Sequence, residues 1–99
     1  MTINVQYVKM LTSETMTDYV TKRLEKLETK FDWIISAKVF FKMENNPKGD
    51  GHICDIDLSL PGPKVFASSK EKNFESAVKN TISDLTKQLE KRKATFNQR

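Results

Sequence analysis

One cysteine and one histidine occur in these 99 residues, and each scarcity removes a class of function. The lone thiol, Cys54, leaves no intramolecular disulfide and no cysteine-based zinc site, which fits a reducing compartment. It falls on the apolar side of an alternating segment and reads as a buried small hydrophobe. The lone imidazole, His52, has only Asp50 and Asp55 nearby as partners and reads as a solvent-exposed side chain. Asp55 and Asp57 point to one side, two residues apart, but lack a third ligand and sit among lysines, so a solvated strand face is expected there rather than a metal pair. Glycine-rich phosphate loops, serine elbows and histidine-rich metal spacings are all missing. No apolar run approaches the roughly 18 residues of a membrane span, and Met1-Thr2-Ile3-Asn4 lacks the basic start and apolar run of a leader. The expectation is a cytoplasmic, non-enzymatic protein without cofactor, metal, membrane or small-molecule substrate.

What remains is a regular alternation of periods. Ile3, Val5 and Tyr7 alternate with Thr2, Asn4 and Gln6, a strand with one buried face. Ser13 is a good helix N-cap with Glu14 in the first turn, and Met16, Tyr19, Val20, Leu24, Leu27 and Phe31 then follow helical spacing. After Asp32-Trp33 the period returns to two, with Ala37, Val39, Phe41 and Met43 opposite Lys38, Phe40, Lys42 and Glu44. Asn45 to Gly51 is dense in turn formers and joins antiparallel strands. Cys54, Ile56, Leu58 and Leu60 mark the third strand. Pro61-Gly62-Pro63 turns the chain into a short fourth strand, Val65 to Ser69, and Lys70-Glu71-Lys72 is a polar connection. A second helix spans Asn73 to Lys93. The order β-α-β-β-β-α predicts a single α+β domain over residues 1–99 in two layers. Its four-stranded mixed sheet carries both helices on one face and opens the other, with Lys38, Lys42, Asp55 and Asp57, to water.

Charge is distributed unevenly along this frame. The chain carries 17 basic and 13 acidic residues, a net of +4. Thr86 to Arg99 alone holds Lys87, Lys91, Arg92, Lys93 and Arg99 against Glu90, also +4, so residues 1–85 sum to zero. The excess is local and acts as a field on acidic partners. At about 100° per residue, Arg92 returns to the azimuth of Phe74 and Leu85, where an apolar residue belongs if the sheet still lies beneath. The helix is therefore expected to outrun the sheet and project past the domain, its cations meeting phosphate largely without reading sequence.

Arg23-Leu24-Glu25-Lys26-Leu27-Glu28 with Phe31-Asp32 resembles the first helix of the short ribosome hibernation-promoting factors. These are also called ribosome-associated translation inhibitors, of the sigma-54 modulation protein/S30AE type. Ala67-Ser68, Ala77-Val78, Ile82, Leu85 and Lys87-Gln88-Leu89-Glu90-Lys91-Arg92-Lys93 are similar to that family's closing segment, and the likeness covers essentially the whole chain. The resemblance implies a layout like double-stranded-RNA-binding domains. It also implies binding to the small (30S) ribosomal subunit in the channel of mRNA and the A- and P-site tRNAs, with translation blocked sterically in stationary phase or stress. Family basic positions fall on Arg23, Lys26, Lys87, Lys91, Arg92 and Lys93, which are expected to contact 16S rRNA. Lys22, Lys30 and Lys79 are basic where the family pattern is not regularly so, and rank below them.

Two departures stand out. Asn73-Phe74-Glu75 replaces an acidic-Met-Tyr helix start, and Lys79 replaces an acid one turn on. The chain also ends at Arg99 without an acidic tail or a dimerisation domain, so a monomer occupying one subunit is expected rather than unaided pairing of ribosomes. The alternatives are a general double-stranded-RNA-binding module and a protein-interaction regulator of transcription.

Overall fold

Alternation of apolar and polar residues recurs four times along the chain, and in a computed structural model, which describes residues 1–96, the four segments form one sheet. The elements are β1 (Thr2–Tyr7), α1 (Glu14–Lys30), β2 (Ser36–Met43), β3 (His52–Ser59), β4 (Val65–Glu71) and α2 (Phe74–Phe96). The sheet order is β1-β2-β3-β4. β1 pairs parallel with β2, Ile3 opposite Ala37 and Tyr7 opposite Phe41, because α1 carries the chain back between them. The two later pairings are antiparallel, with Phe41 opposite Cys54 and Cys54 opposite Ser69. This is the α+β architecture that the element order predicts.

Each helix begins where the sequence supplies a cap. Ser13 sits in an extended conformation and its side chain accepts from the Met16 N–H at 3.2 Å, which satisfies one of the orphan donors of the first turn. Asn73, expected inside the second helix, instead caps it: its side chain accepts from the Ser76 N–H at 2.8 Å. Val20, Leu24, Leu27 and Phe31 of α1 and Ala77, Val78, Leu85 and Leu89 of α2 bury against Val39, Phe41, Cys54, Ile56 and Leu58 in one continuous core. Thr81 occupies a core position because its hydroxyl donates to the Cys54 carbonyl at 3.0 Å, as a buried hydroxyl must. Burial beneath α2 pushes the Cys54 thiol from its ordinary 9.0 up to about 12; the Thr81 hydroxyl, when it turns to the sulfur as a side-chain hydrogen-bond partner, opposes the shift and the Asp55 charge adds to it.

Several expectations are corrected. β4 continues through Lys70 and Glu71, which pair with Ile53 and His52 in place of a free connection; the Lys70 ammonium also bonds Glu44 at 2.8 Å. His52 is half-buried rather than exposed, its ring edge-on to Phe74 at 4.8 Å. Asp55 is buried rather than solvated, because Lys42 reaches it at 2.7 Å and the Ser68 hydroxyl donates to its other oxygen. Gly51 has no room for a side chain: a Cβ there would lie 2.0 Å from the Glu44 carbonyl oxygen.

The end of α2 also differs from expectation. The helix runs three residues beyond Lys93 to Phe96, and its last turns do not project unsupported. Arg92 donates to the Pro61 carbonyl at 3.4 Å, and Phe96 packs edge-on against Trp33 with ring centroids 5.1 Å apart. Turns, not strands, cover the stripe once the sheet has ended. Arg99 lies outside the described residues.

Candidate nucleic-acid interface

Both helices run toward the same end of the sheet. α1 leads directly into β2 at Ser36, and α2 starts beyond Glu71 and brings Arg92 to Pro61 at the opposite end. The helices are therefore parallel neighbours, and the flank of each that faces the other is set by helical spacing. On α1 the core residues Val20, Leu24, Leu27 and Phe31 are bordered on one side by Tyr19, Arg23, Lys26 and Lys30, at i, i+4, i+7 and i+11. On α2 the matching border is Ile82, Thr86 and Lys93.

Along these borders lie three adjoining open clefts that share Arg23, Lys26 and Lys30 and together make a groove. Lys22, Arg23 and Lys26 line its first part with Tyr19. Arg23, Lys26 and Lys30 face Ile82 and Thr86 in the middle. Lys30 and Phe31 face Glu90, Lys93 and Ala94 at the far end. Arg23 is half-buried with its guanidinium over the Tyr19 ring at 5.2 Å, and Lys30 holds its ammonium over Phe31 at 5.6 Å. Both aromatic supports limit the rotamers of the cation that a ligand would have to fix.

The nine basic residues singled out by sequence are thus not one patch. Lys22, Arg23, Lys26, Lys30 and Lys93 come together along the groove. Lys87 and Lys91 are exposed on another flank of α2, about 120° and 160° round the helix from Lys93. Arg92 is half-buried on the sheet side, against the Pro61 turn. Lys79 is exposed and borders none of the groove. Two groove cations, Lys22 and Lys30, ranked low by sequence because rank followed family pattern rather than helix azimuth. Tyr19 and Thr86 also line the groove without having been singled out by sequence, although the four-residue spacing of Tyr19 and Arg23 carries the signal for the first.

Electrostatically, only some cations are neutralised, and Lys38 on β2 has no ion-pair partner among the described residues. Lys42 and Lys70 on the strands are paired with Asp55 and Glu44. None of the nine helix cations forms an ion pair among the described residues. Unpaired lysines and arginines beside a shallow groove suit a phosphate backbone, to which they bond without selecting a base. Among the described residues, no group of three or more His, Cys, Asp or Glu lies close enough to hold a metal ion. No helix among them is long and apolar enough to cross a membrane.

Comparison with known proteins gives the same frame. The sequence profile of the family described as "Sigma 54 modulation protein / S30EA ribosomal protein" matches residues 3–97. A protein named ribosome hibernation promoting factor from Escherichia coli (strain K12) is 29% identical over 98 residues, which are 99% of each chain. One of the same name from Pseudomonas putida is 26% identical over 93 residues, 94% of this chain and 87% of its own. Among solved structures, a ribosomal subunit interface protein from Coxiella burnetii superposes with a TM-score of 0.85 at 23% identity, over 95% of this chain and 99% of that one. The N-terminal domain of Thermus thermophilus Protein Y gives 0.76 at 22% identity, over 92% and 98%. At these identities the two structures establish the fold.

Proposed function

The chain belongs to the Sigma 54 modulation protein / S30EA ribosomal protein family, and from that membership and its interhelical groove we propose that it is a ribosome-bound hibernation factor. It binds the small subunit, where 16S rRNA lines the channel of mRNA and the A- and P-site tRNAs, and acts by occupying that channel rather than by bond chemistry. Translation is thereby held off in the cytoplasm during stationary phase or stress. The observation that carries this reading is the groove itself. Five cations from two parallel helices line it with no ion-pair partner among the described residues. Such a surface supplies steered, salt-sensitive binding to RNA, and the rigid core behind it supplies the bulk that blocks a channel.

Sedimentation through sucrose tests the proposal. The chain should comigrate with small subunits, be displaced by mRNA with initiator tRNA, and resist competition from a free RNA duplex. Equal competition by the duplex would replace this reading with general double-stranded-RNA binding. A protein partner retained after ribonuclease treatment would instead favour a regulator of transcription.

A further inference from the structure

The far end of the groove carries a feature that phosphate binding does not use. Phe96, in the last turn of α2, leaves 47% of its surface exposed, beside the cleft lined by Lys30, Phe31 and Lys93. Its ring meets Trp33 edge-on, centroids 5.1 Å apart and planes at 74°. Trp33 meets Phe31 edge-on as well, at 5.8 Å and 75°. Phe31 is buried in the core, so a chain of three rings leads from the core to the surface. An edge-to-face contact fixes both rings and covers a face of only one of them.

We propose that Phe96, held edge-to-face by Trp33, offers a stacking face to one unpaired RNA base at the end of the groove, with Lys30 and Lys93 holding the adjoining phosphates. The inference rests on the RNA-binding reading above and adds the state of the nucleic acid: single-stranded at this point. The other large exposed apolar side chains, Val8, Leu11, Ile35, Met43 and Phe66, border none of the cationic groove; Trp33 and Phe96 do not line it either but connect to it through Phe31. Lys30 and Lys93 outnumber Glu90 in that cleft, so the charge there favours phosphate. A base within a duplex has both faces occupied by its neighbours; an unpaired one stacks on aromatic side chains, and every base has a face to offer.

Trp33 is the chain's one tryptophan, so its emission reports on the platform directly. A single-stranded oligoadenylate of 12 nucleotides should quench it saturably, and an RNA duplex of the same length should not. Phe96→Leu keeps an apolar contact with Trp33 but removes the aromatic face, and Phe96→Tyr keeps both. The Leu variant should lose roughly 5- to 150-fold in affinity for small subunits, the range for one stacked base, with its thermal midpoint within a few degrees of native and the Tyr variant binding as native does. If Phe96→Leu binds as tightly as the native chain, or if the duplex quenches Trp33 as well as the single strand does, the platform is refuted while the ribosome reading stands. If the native chain fails to comigrate with small subunits, the ribosome reading falls, and the quenching contrast alone decides the platform.

Discussion

Neutralising the groove while leaving the rest of α2 intact is the sharpest perturbation available. In Arg23→Gln/Lys26→Gln/Lys30→Gln/Lys93→Gln, four side chains keep nearly their length and helix propensity but lose their charge. Each has no ion-pair partner among the described residues, so no acid is stranded. Lys26 is exposed and should cost little stability; Arg23 and Lys30 give up their contacts with Tyr19 and Phe31, each worth about 0.5–1 kcal/mol, and Lys30 and Lys93 their places at the helix C-termini, each worth about 0.3–1 kcal/mol. If each cation neutralises one phosphate, the slope of log affinity against log salt should become shallower by about 2.8 to 3.6, at about 0.7–0.9 per contact. Between 50 and 200 mM salt, the four contacts account for a fall of roughly 50- to 150-fold that the variant no longer shows. Sedimentation with small subunits across a salt series measures it, with circular dichroism as the check on folding. Lys87→Gln/Lys91→Gln, on the other flank, is the comparison. A quadruple variant whose slope stays within about half a unit of native would refute the groove. A comparable drop per charge in the flank variant would place the polyanion over the crest of α2 instead.

Three further outcomes follow from other parts of the structure. Arg92→Gln should change the salt slope by less than Lys93→Gln does, because Arg92 is directed at the Pro61 carbonyl; equal slopes would make it a phosphate contact. Gly51→Ala should destabilise by about 1–3 kcal/mol in urea unfolding, since its Cβ would overlap the Glu44 carbonyl at 2.0 Å; a neutral result would mean that the loop relaxes freely. The Cys54 thiol, raised from 9.0 to about 12 by burial, stays neutral in the folded chain while the unfolded thiol ionises above pH 9. Its contribution to stability is therefore whole below pH 9 and lost as pH rises toward 12, at about 1.4 kcal/mol per unit. Urea midpoints from pH 8 to 11 for native and Cys54→Ala should converge accordingly, and parallel curves would contradict the shift.

The fold was legible because each element announces its own period: two at Ile3-Val5-Tyr7 and Ala37-Val39-Phe41, three and four at Val20-Leu24-Leu27 and Val78-Leu85-Leu89. The caps were half legible. Ser13 stands immediately before an acidic first turn, whereas Asn73 was absorbed into a helix that it only begins. Burial at Asp55 was not legible, since the alternation that puts it on the outer face says nothing of Lys42 and Ser68 closing over it from both neighbouring strands. The candidate groove was foreshadowed in sequence as charge and not as arrangement. Counting cations finds Lys87, Lys91, Arg92 and Lys93 as one block, but successive helical residues point about 100° apart, so a block in sequence becomes three directions in space. The groove joins Arg23 and Lys26 to Lys93 across almost the length of the chain, and only knowledge that the helices lie parallel and adjacent supplies that.

Parallel helices also make the groove cations unequal. Each C-terminus carries a partial charge equivalent to about −0.5, and here the two C-termini lie at the same end of the sheet, so the backbone alone would present roughly −1 to any phosphate arriving there. Lys30 is in the last turn of α1 and Lys93 in the last turn of α2. Together they more than offset that field, and part of their charge is spent on it. Arg23 and Lys26 sit one to two turns upstream, where the macrodipole has faded, and offer their full charge outward. The two halves of the quadruple variant therefore differ in kind. Removing Arg23 and Lys26 takes away attraction, whereas removing Lys30 and Lys93 leaves two uncompensated helix ends and Glu90 facing the polyanion. Lys30→Gln/Lys93→Gln should thus weaken binding more than Arg23→Gln/Lys26→Gln at low salt, and the gap should close as salt screens the helix ends. An equal loss from both pairs at low salt would mean that the helix ends play no part in the field of the groove.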